Sequence, residues 1–473
     1  MVSRDALVYE QRAQGRPHSL LFTIPMNKST ALKARLSVMN FLEFAVWGAY
    51  LISMGMYLGN HGLGRYVFWF YTVQGLVSIF MPALIGIIAD RWLPAQKTLS
   101  TCHLIAGVFM IMAGVMAGIG GDNIPFGPVF AFYTVSVAFF MPTIGLSNSV
   151  AFNALESGGL DTVRDFPPIR VLGTIGFICA EVAVKFITVD GVEIQHSNTQ
   201  FYLSGALSLA LAAYALTMPA CPVRKEGGRG LADALGLKAF RLFRHREMAI
   251  FFIFSMLLGV SLQITNTYGS MYINHFDKVA CFHGGFWAKN PTFLISISQC
   301  AEAVCILLIP FCLKRYGIKG VMLIAMFAWA LRFGFFGIGD TSGGVIFLIL
   351  SCIVYGVAFD FFNVSGGLYV DSRVEASQRS SAQGLFMLMT NGIGASIGTF
   401  VAGKFVVDKL VFDSSVENNP MAQLDAWHTS WLIFAAYSLV VAILFMLLFR
   451  DKGNGRACSQ SLAQDIADAP KSI

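Results

Sequence analysis

Long apolar runs separated by short polar connections dominate the chain. Leu104–Gly120, Phe293–Phe311 and Trp431–Phe449 are each about the length that crosses a hydrocarbon core of roughly 30 Å. The same pattern, followed from end to end, predicts twelve membrane-spanning helices. They fall at about 37–59, 66–89, 99–120, 126–152, 168–189, 200–219, 249–273, 292–313, 317–339, 344–367, 380–405 and 430–449. Gly and polar residues interrupt the fifth and the eleventh. The longest internal polar segment, "CPVRKEGGRGLADALGLKAFRLFRHREM", lies between spans six and seven and divides the spans into two sets of six. The expected fold class is therefore an all-α membrane protein of two six-helix halves. The expected divisions are a tail over 1–35, a first half over 36–219, a basic linker over 220–248, a second half over 249–450 and a second tail over 451–473.

Composition agrees with the pattern. Charged residues make up 13% of the chain and hydrophobic ones 56%, with a mean hydropathy of +0.64. A soluble globular protein carries about 25% charged residues, so half the usual charge is missing, and it is missing in blocks. The 42 Phe and 20 Met suit lipid-facing and helix-packing positions. The nine Cys show no CxxC and no Cys/His cluster at zinc spacing. Most of them (Cys102, Cys179, Cys300, Cys305, Cys312 and Cys352) lie in apolar segments and read as small buried hydrophobes.

The net charge of +6 is no sign of a nucleic-acid partner; its distribution is what informs. Lys28, Lys33, Arg35, Arg91, Lys97 and Arg164 fall on one side of the predicted spans. The same side holds seven basic residues of the linker, then Lys314, Arg315, Lys319, Arg373, Arg379, Arg450, Lys452 and Arg456. The opposite connections hold Arg65, Lys278 and Lys289. Basic residues stay on the cytoplasmic side, so both termini of this multi-pass chain are expected there. Residues 1–25 are polar apart from Leu20–Pro25, too short for a signal-peptide core. "MNKSTALKARL" from Met26 is a basic lead-in to span one, which makes Met26 a candidate start.

Against this background the intramembrane polar residues stand out. Asp360 follows a stretch, Thr341 to Phe359, without a charge, and an acid there costs roughly 2.5–3.5 kcal/mol to insert. Such groups face a bundle interior or a wet cavity. In span seven "LQITN" sets Gln263 and Asn266 three apart, hence on one face, and in span eight "SQCAE" does the same for Gln299 and Glu302. Span ten offers Tyr355, Phe359 and Asp360, and span five, "PPIRVLGTIGF", offers Arg170, Thr174 and Phe177 at i, i+4 and i+7. Four helices each carry a short polar or aromatic stripe, and the economical expectation is that the stripes meet.

Each stripe has a plainer reading. Gln263 and Asn266 can serve as hydrogen bonds between helices, Arg170 can snorkel to an interface, and Phe177, Tyr355 and Phe359 can be packing residues. Glu302 and Asp360 resist such a reading, because helix packing needs no acid. Glu43 is also intramembrane. Glu181 and Lys185 are four apart, the spacing of a local ion pair, and Arg332 is expected at the outer interface or beside an acid. His103, His275 and His428 read as solvated interfacial residues. Gly114 with Gly118 and Gly394 with Gly398 have the spacing of close helix contacts. No HExxH, paired-His or Ser/Lys arrangement occurs, so an intramembrane enzyme is not expected.

"GIIADRW" at Gly86–Trp92 resembles the cytoplasmic loop signature of the major facilitator superfamily, although Leu93–Pro94–Ala95 replaces its usual Gly and basic ending. Longer stretches, "FMPALIGIIADRW", "DFPPIRVLGTIGFI", "MAIFFIFSMLLG", "LQITN", "KRYGIKGVM", "VYGVAFDFFNVSG" and "SAQGLFMLMTNG", resemble the bacterial nucleoside:proton symporters of that superfamily. The resemblance runs over roughly residues 33–450. It implies a bacterial inner membrane and two six-helix halves rocking about a central cavity. It also implies a nucleoside site at Arg170, Thr174, Phe177, Gln263, Asn266, Gln299, Glu302, Tyr355, Phe359 and Asp360. Leu172 stands where the family pattern has Trp, and Ser261 precedes "LQITN" where it has an acid; neither belongs to the contact set.

Those residues suit a nucleoside chemically. Phe177, Tyr355 and Phe359 give a base stacking surfaces worth roughly 1–3 kcal/mol each. The Gln263 and Asn266 amides both donate and accept, and a carboxylate of Glu302 or Asp360 takes a charge-assisted bond from ribose hydroxyls. A single Arg makes poor provision for a nucleotide, so purine and pyrimidine nucleosides such as uridine and adenosine are the expected partners. The proton is the expected coupling ion through Asp360 or Glu302, with no cofactor and a monomeric protein in the bilayer. The alternatives are a porter for another neutral polar solute such as a sugar, and a membrane ligand sensor that transports nothing.

Overall fold

The computed structural model describes residues 28–221, 237–374, 379–416 and 418–449. The tails beyond residues 28 and 449, Met26 with them, and the middle of the linker lie outside the described residues. In lipid every backbone donor and acceptor needs an internal partner, and the described chain meets that demand almost wholly with helix. The first half contains Lys28–Gly48 with Ser53–Leu58 (span one), Val67–Arg91 (two), Ala95–Gly120 (three), Phe126–Ser157 (four), Thr162–Phe186 (five) and Thr199–Ala215 (six). The second contains Arg246–His275 (seven), Pro291–Cys305 (eight), Ile309–Ile338 (the end of eight and all of nine) and Val345–Arg373 (ten). Arg379–Met387 with Ala395–Val401 forms span eleven and Pro420–Leu448 span twelve.

By length and composition, eight helical stretches among the described residues can cross a membrane. Two of them, Lys28–Ala89 and Pro291–Ile338, each hold two expected spans. His61 and Gly62 leave helical geometry in the first. In the second, Gly317 takes φ +70°, a conformation that costs a residue without Cβ little. Thr162–Phe186 and the 17-residue Thr199–Ala215 lie outside those eight.

Span five departs from its expected limits at both ends. It begins at Thr162 rather than 168, the helix running through Pro167 and Pro168. It stops at Phe186 because "TVDGVE" folds into a small antiparallel hairpin, β1 (Thr188–Val189) with β2 (Val192–Glu193). Asp190 and Gly191 take φ of +52° and +79°, the turn that Asp-Gly favours between two strands. Hydropathy reads through this hairpin; the Asp-Gly pair is the signal that marks it. Span eleven is irregular too, with π-helical turns at Leu388–Gly394 and Ala402–Val407.

Within the first half, span one packs on five and six, and span four on two and three. Within the second, nine packs on ten and twelve, eight on ten, and seven on eleven and twelve. Five meets eight, two meets eleven and one meets seven across the halves. Small residues permit these approaches. Gly394 and Gly398 lie against the backbone of Met256 and Val260, and Gly114 and Gly118 against Tyr202 and Asn198. At the end of the bundle that carries the hairpin, the halves are tied together. Ser270 Oγ donates to the Ile52 carbonyl at 2.5 Å and Asn60 Nδ2 to Asn274 Oδ1 at 2.9 Å. The Arg65 guanidinium donates to the Phe412 carbonyl, and the Phe186 and Phe293 rings meet edge to face at 5.8 Å.

The cysteines divide. Cys102, Cys305 and Cys352 are buried as expected, Cys312 is half-buried, and Cys179 and Cys300 are exposed. Burial as small hydrophobes therefore fails for Cys179 and Cys300, whose helices turn them outward.

Candidate functional site

Span five supplies Arg170, Thr174 and Phe177 on one face. Gly173 and Gly176, one position away, lie against Phe44 and the Phe41 carbonyl, which presses spans one and five together and fixes where that face points. The Arg170 guanidinium lies over the Phe44 ring, 3.9 Å from its centroid, so it stays inside the bundle instead of snorkelling. Arg170 is half-buried and Phe177 is buried. The Phe177 ring meets Trp47 edge to face at 6.2 Å.

The second half supplies the acids. Glu302 of span eight and Asp360 of span ten act electrostatically on each other and on Arg170 across the divide between the halves. Among the described residues no direct ion pair joins them to Arg170, which also feels Glu43 of its own half. Tyr355 and Phe359 stack nearly parallel, 5.6 Å apart at 16°, and Tyr355 feels both acids. Gln263 and Asn266 of span seven are half-buried, and Asn266 Nδ2 donates to Gln263 Oε1 at 2.8 Å. Among the described residues neither amide hydrogen-bonds any of the other candidate residues.

Unused polar atoms lie on or beside these stripes. Gln299 Oε1, Asp360 Oδ2 and Trp47 Nε1 are buried without a hydrogen-bond partner. Burying such atoms unpaired costs about 1–3 kcal/mol each, a cost that a polar guest removes. Thr174 is half-buried on the span-five face. Sequence reasoning passed over Trp47; its indole N–H, beside Phe177, is the feature that brings it in.

Three readings of the remaining polar residues need correction. His103 is not interfacial: it is fully buried, its Nε2 2.9 Å from Glu43 Oε2 and its Nδ1 3.0 Å from Ser208 Oγ. Thr143 Oγ1 donates to Glu43 Oε1 at 2.6 Å. Glu43 is thus held by spans three and four, and its charge also reaches Arg170. Arg332 reaches neither an interface nor an acid. It is 1% exposed, and its NH1 donates to the Ser351 carbonyl at 3.0 Å and to Ser298 Oγ at 3.4 Å, its Nε to Thr265 Oγ1 at 3.3 Å. Each acceptor is close in sequence to a candidate site residue, and Arg332 props up the wall from behind. Finally, Lys185 bonds Glu193 of the hairpin, and Glu181 is left with neither oxygen paired. The expected local pair does not form because β2 brings a nearer carboxylate.

Ahead of the membrane-crossing part of span five, Lys33 Nζ donates to Asp165 at 2.7 Å. That bond holds the Asp165 carboxyl below the usual carboxylate range. In the connection after span five, burial holds the His196 imidazole below its ordinary range. Asp90 and Arg91 of the loop signature have side chains outside the description.

A helical bundle of two halves, with Arg170 of one facing acids of the other, has the architecture of a multi-pass membrane transporter of the major facilitator superfamily fold. Comparison with known proteins narrows the class. A family model described as "Nucleoside H+ symporter" matches residues 30–454. "Xanthosine permease" of Escherichia coli (strain K12) is 45% identical over 427 residues, 89% of this chain and 96% of that protein. "Nucleoside permease NupG" of the same organism is 42% identical over the same shares. The crystal structure of nucleoside transporter NupG superposes with a TM-score of 0.79, covering 89% of this chain and all of that one. The chain belongs to the nucleoside H+ symporter family, and its named relatives are permeases rather than enzymes.

Proposed function

We propose that this protein carries nucleosides such as uridine and adenosine, together with protons, across the bacterial cytoplasmic membrane. The solute sits among Arg170, Thr174, Phe177, Gln263, Asn266, Gln299, Glu302, Tyr355, Phe359 and Asp360. The observation that carries this reading is the meeting of Arg170 from one half with Glu302 and Asp360 from the other. Relatives named as xanthosine and nucleoside permeases support the solute class. The stacked Tyr355–Phe359 pair provides a flat apolar surface beside two carboxylates, which suits a base joined to a sugar.

Both termini lie in the cytoplasm on the Lys/Arg bias, which places the hairpin end outside. The ties at that end then describe a carrier closed to the exterior. Rocking of one half on the other changes the distance from Arg170 to the two acids, and so the balance between a charged and a neutral carboxyl. Each proton crossing about 100 mV delivers roughly 2.3 kcal/mol, enough for on the order of 40-fold accumulation of a neutral solute. The protein works as a monomer, with no cofactor besides the proton.

Uptake of labelled uridine into proteoliposomes, with and without an imposed pH gradient, tests the proposal. Concentrative uptake with the gradient alone is expected, competed by nucleosides and not by sugars. Equal uptake in both conditions, or an Asp360→Asn protein that still concentrates uridine, would show that Asp360 is not the coupling group.

A further inference from the structure

Glu181 lies four residues beyond Phe177, so Arg170, Thr174, Phe177 and Glu181 run along one face of span five at i, i+4, i+7 and i+11. At about 1.5 Å per residue, it lies about 17 Å from Arg170 and about 8 Å from the end of the helix at Phe186. It is 0% exposed and neither carboxyl oxygen has a partner.

The groups that face it are few. Cys300 on span eight and Cys352 and Tyr355 on span ten feel its charge, which places it against the opposite half. Further along those spans, Glu302 and Asp360 engage Arg170. From span one, Glu43 is taken by His103 and Thr143, and Tyr50 packs on Tyr133. Span four presents Glu156 at its far end, and the connection after span five holds Glu193 and His196. Lys185, on Glu181's own helix, gives its Nζ to Glu193. Among the described residues no cation acts on Glu181. The edge-to-face pair Phe186–Phe293 closes the hairpin end beyond it.

An ionised carboxylate in such a place costs several kcal/mol, and a neutral carboxyl far less. A metal cation would need several oxygen ligands around it, and the described residues hold no group of three or more His, Cys, Asp or Glu able to bind one. The proton is the ligand that fits. We propose that Glu181 is a second proton-binding carboxyl of the transport cycle. It holds a proton while the hairpin end is closed and releases it to the outer solution when that end opens. Opening parts spans five and eight, lets water reach the carboxyl, and frees Lys185 one turn away, at the spacing where an ammonium and a carboxylate pair. The step is the exchange of one proton between Glu181 and water, with no other bond made or broken. Protonation therefore favours the closed hairpin end, and a higher outer pH favours its opening.

This inference rests on reading the chain as a proton-coupled carrier. The test is hydrogen–deuterium exchange on the full chain in lipid nanodiscs between about pH 5.5 and 8.5. Amide protection factors are followed over 286–299, because they remove the intrinsic pH dependence of exchange. In the wild type, protection should fall with rising pH, by up to about tenfold per unit, the limit for one proton. Glu181→Gln and Glu181→Met, the second being apolar and of similar length, should hold protection high and flat. A coupled wild type whose slope survives in both variants overturns this proposal alone. A wild type whose uridine uptake ignores an imposed gradient sinks the functional reading, and this proposal with it.

Discussion

The Arg332 guanidinium lies over the face of Tyr355, 4.3 Å from the ring centroid, and Tyr355 in turn stacks on Phe359. A fully buried cation thus fixes an aromatic wall. Arg332→Met removes the donors to Ser351, Ser298 and Thr265, and each buried acceptor left unpaired costs about 1–3 kcal/mol. The expected result is a lower Tm in detergent and a several-fold higher KM for uridine. Arg332→Lys should recover little of either, since an ammonium neither stacks nor forks as guanidinium does. A wild-type KM in Arg332→Met would show that the wall stands without it.

Spans one and five touch through their backbones. A Cβ at Gly176 would fall 2.1 Å from the Phe41 carbonyl oxygen. Gly176→Ala should cost about 1–3 kcal/mol or more through overpacking, read as a lower Tm and less folded protein. At Gly145 nothing lies within 4 Å, and Gly145→Ala should leave Tm unchanged.

The Lys33–Asp165 pair sets a pH limit on stability rather than on transport. The folded Asp165 carboxyl sits below its unfolded value of about 3.9, so its contribution is present above that value and is lost as pH falls through the folded one. Thermal melts should show Lys33→Met melting lower than wild type near neutral pH, with the gap closing in strong acid. Near-neutral dependence of uptake should be the same in both proteins.

Glu43 offers a contrast with Asp360. Glu43→Ala strips partners from His103 and Thr143 and should lower Tm, whereas Glu43→Gln keeps an amide in reach of both and should stay near wild type. Gradient-driven uridine accumulation should survive in Glu43→Gln. Its loss, in a protein that melts normally, would move Glu43 into the coupling machinery.

The long apolar helices were legible because lipid admits few alternatives, and apolar length is then nearly the whole signal. The sequence singled out Glu302 and Asp360 for their depth, and the structure brings both within electrostatic reach of Arg170. What hydropathy could not carry was geometry set by neighbours distant in sequence. Lys185 had two carboxylates to choose from, and only the Asp-Gly turn, which brings Glu193 back, decides between them. His103 looked interfacial by position along its span, yet its partner is Glu43 on another helix. Trp47 carried no charge to draw notice; its unpaired N–H appears once the bundle is assembled.

Arg170 feels three acids, Glu302 and Asp360 from the opposite half and Glu43 from its own. A neutral guest can fill every contact there and still not alter that tally; a hydrogen ion alters it while touching almost nothing. Space and neutrality thus come from different passengers. Under the proposed coupling, a turnstile built this way stays jammed for either one boarding alone.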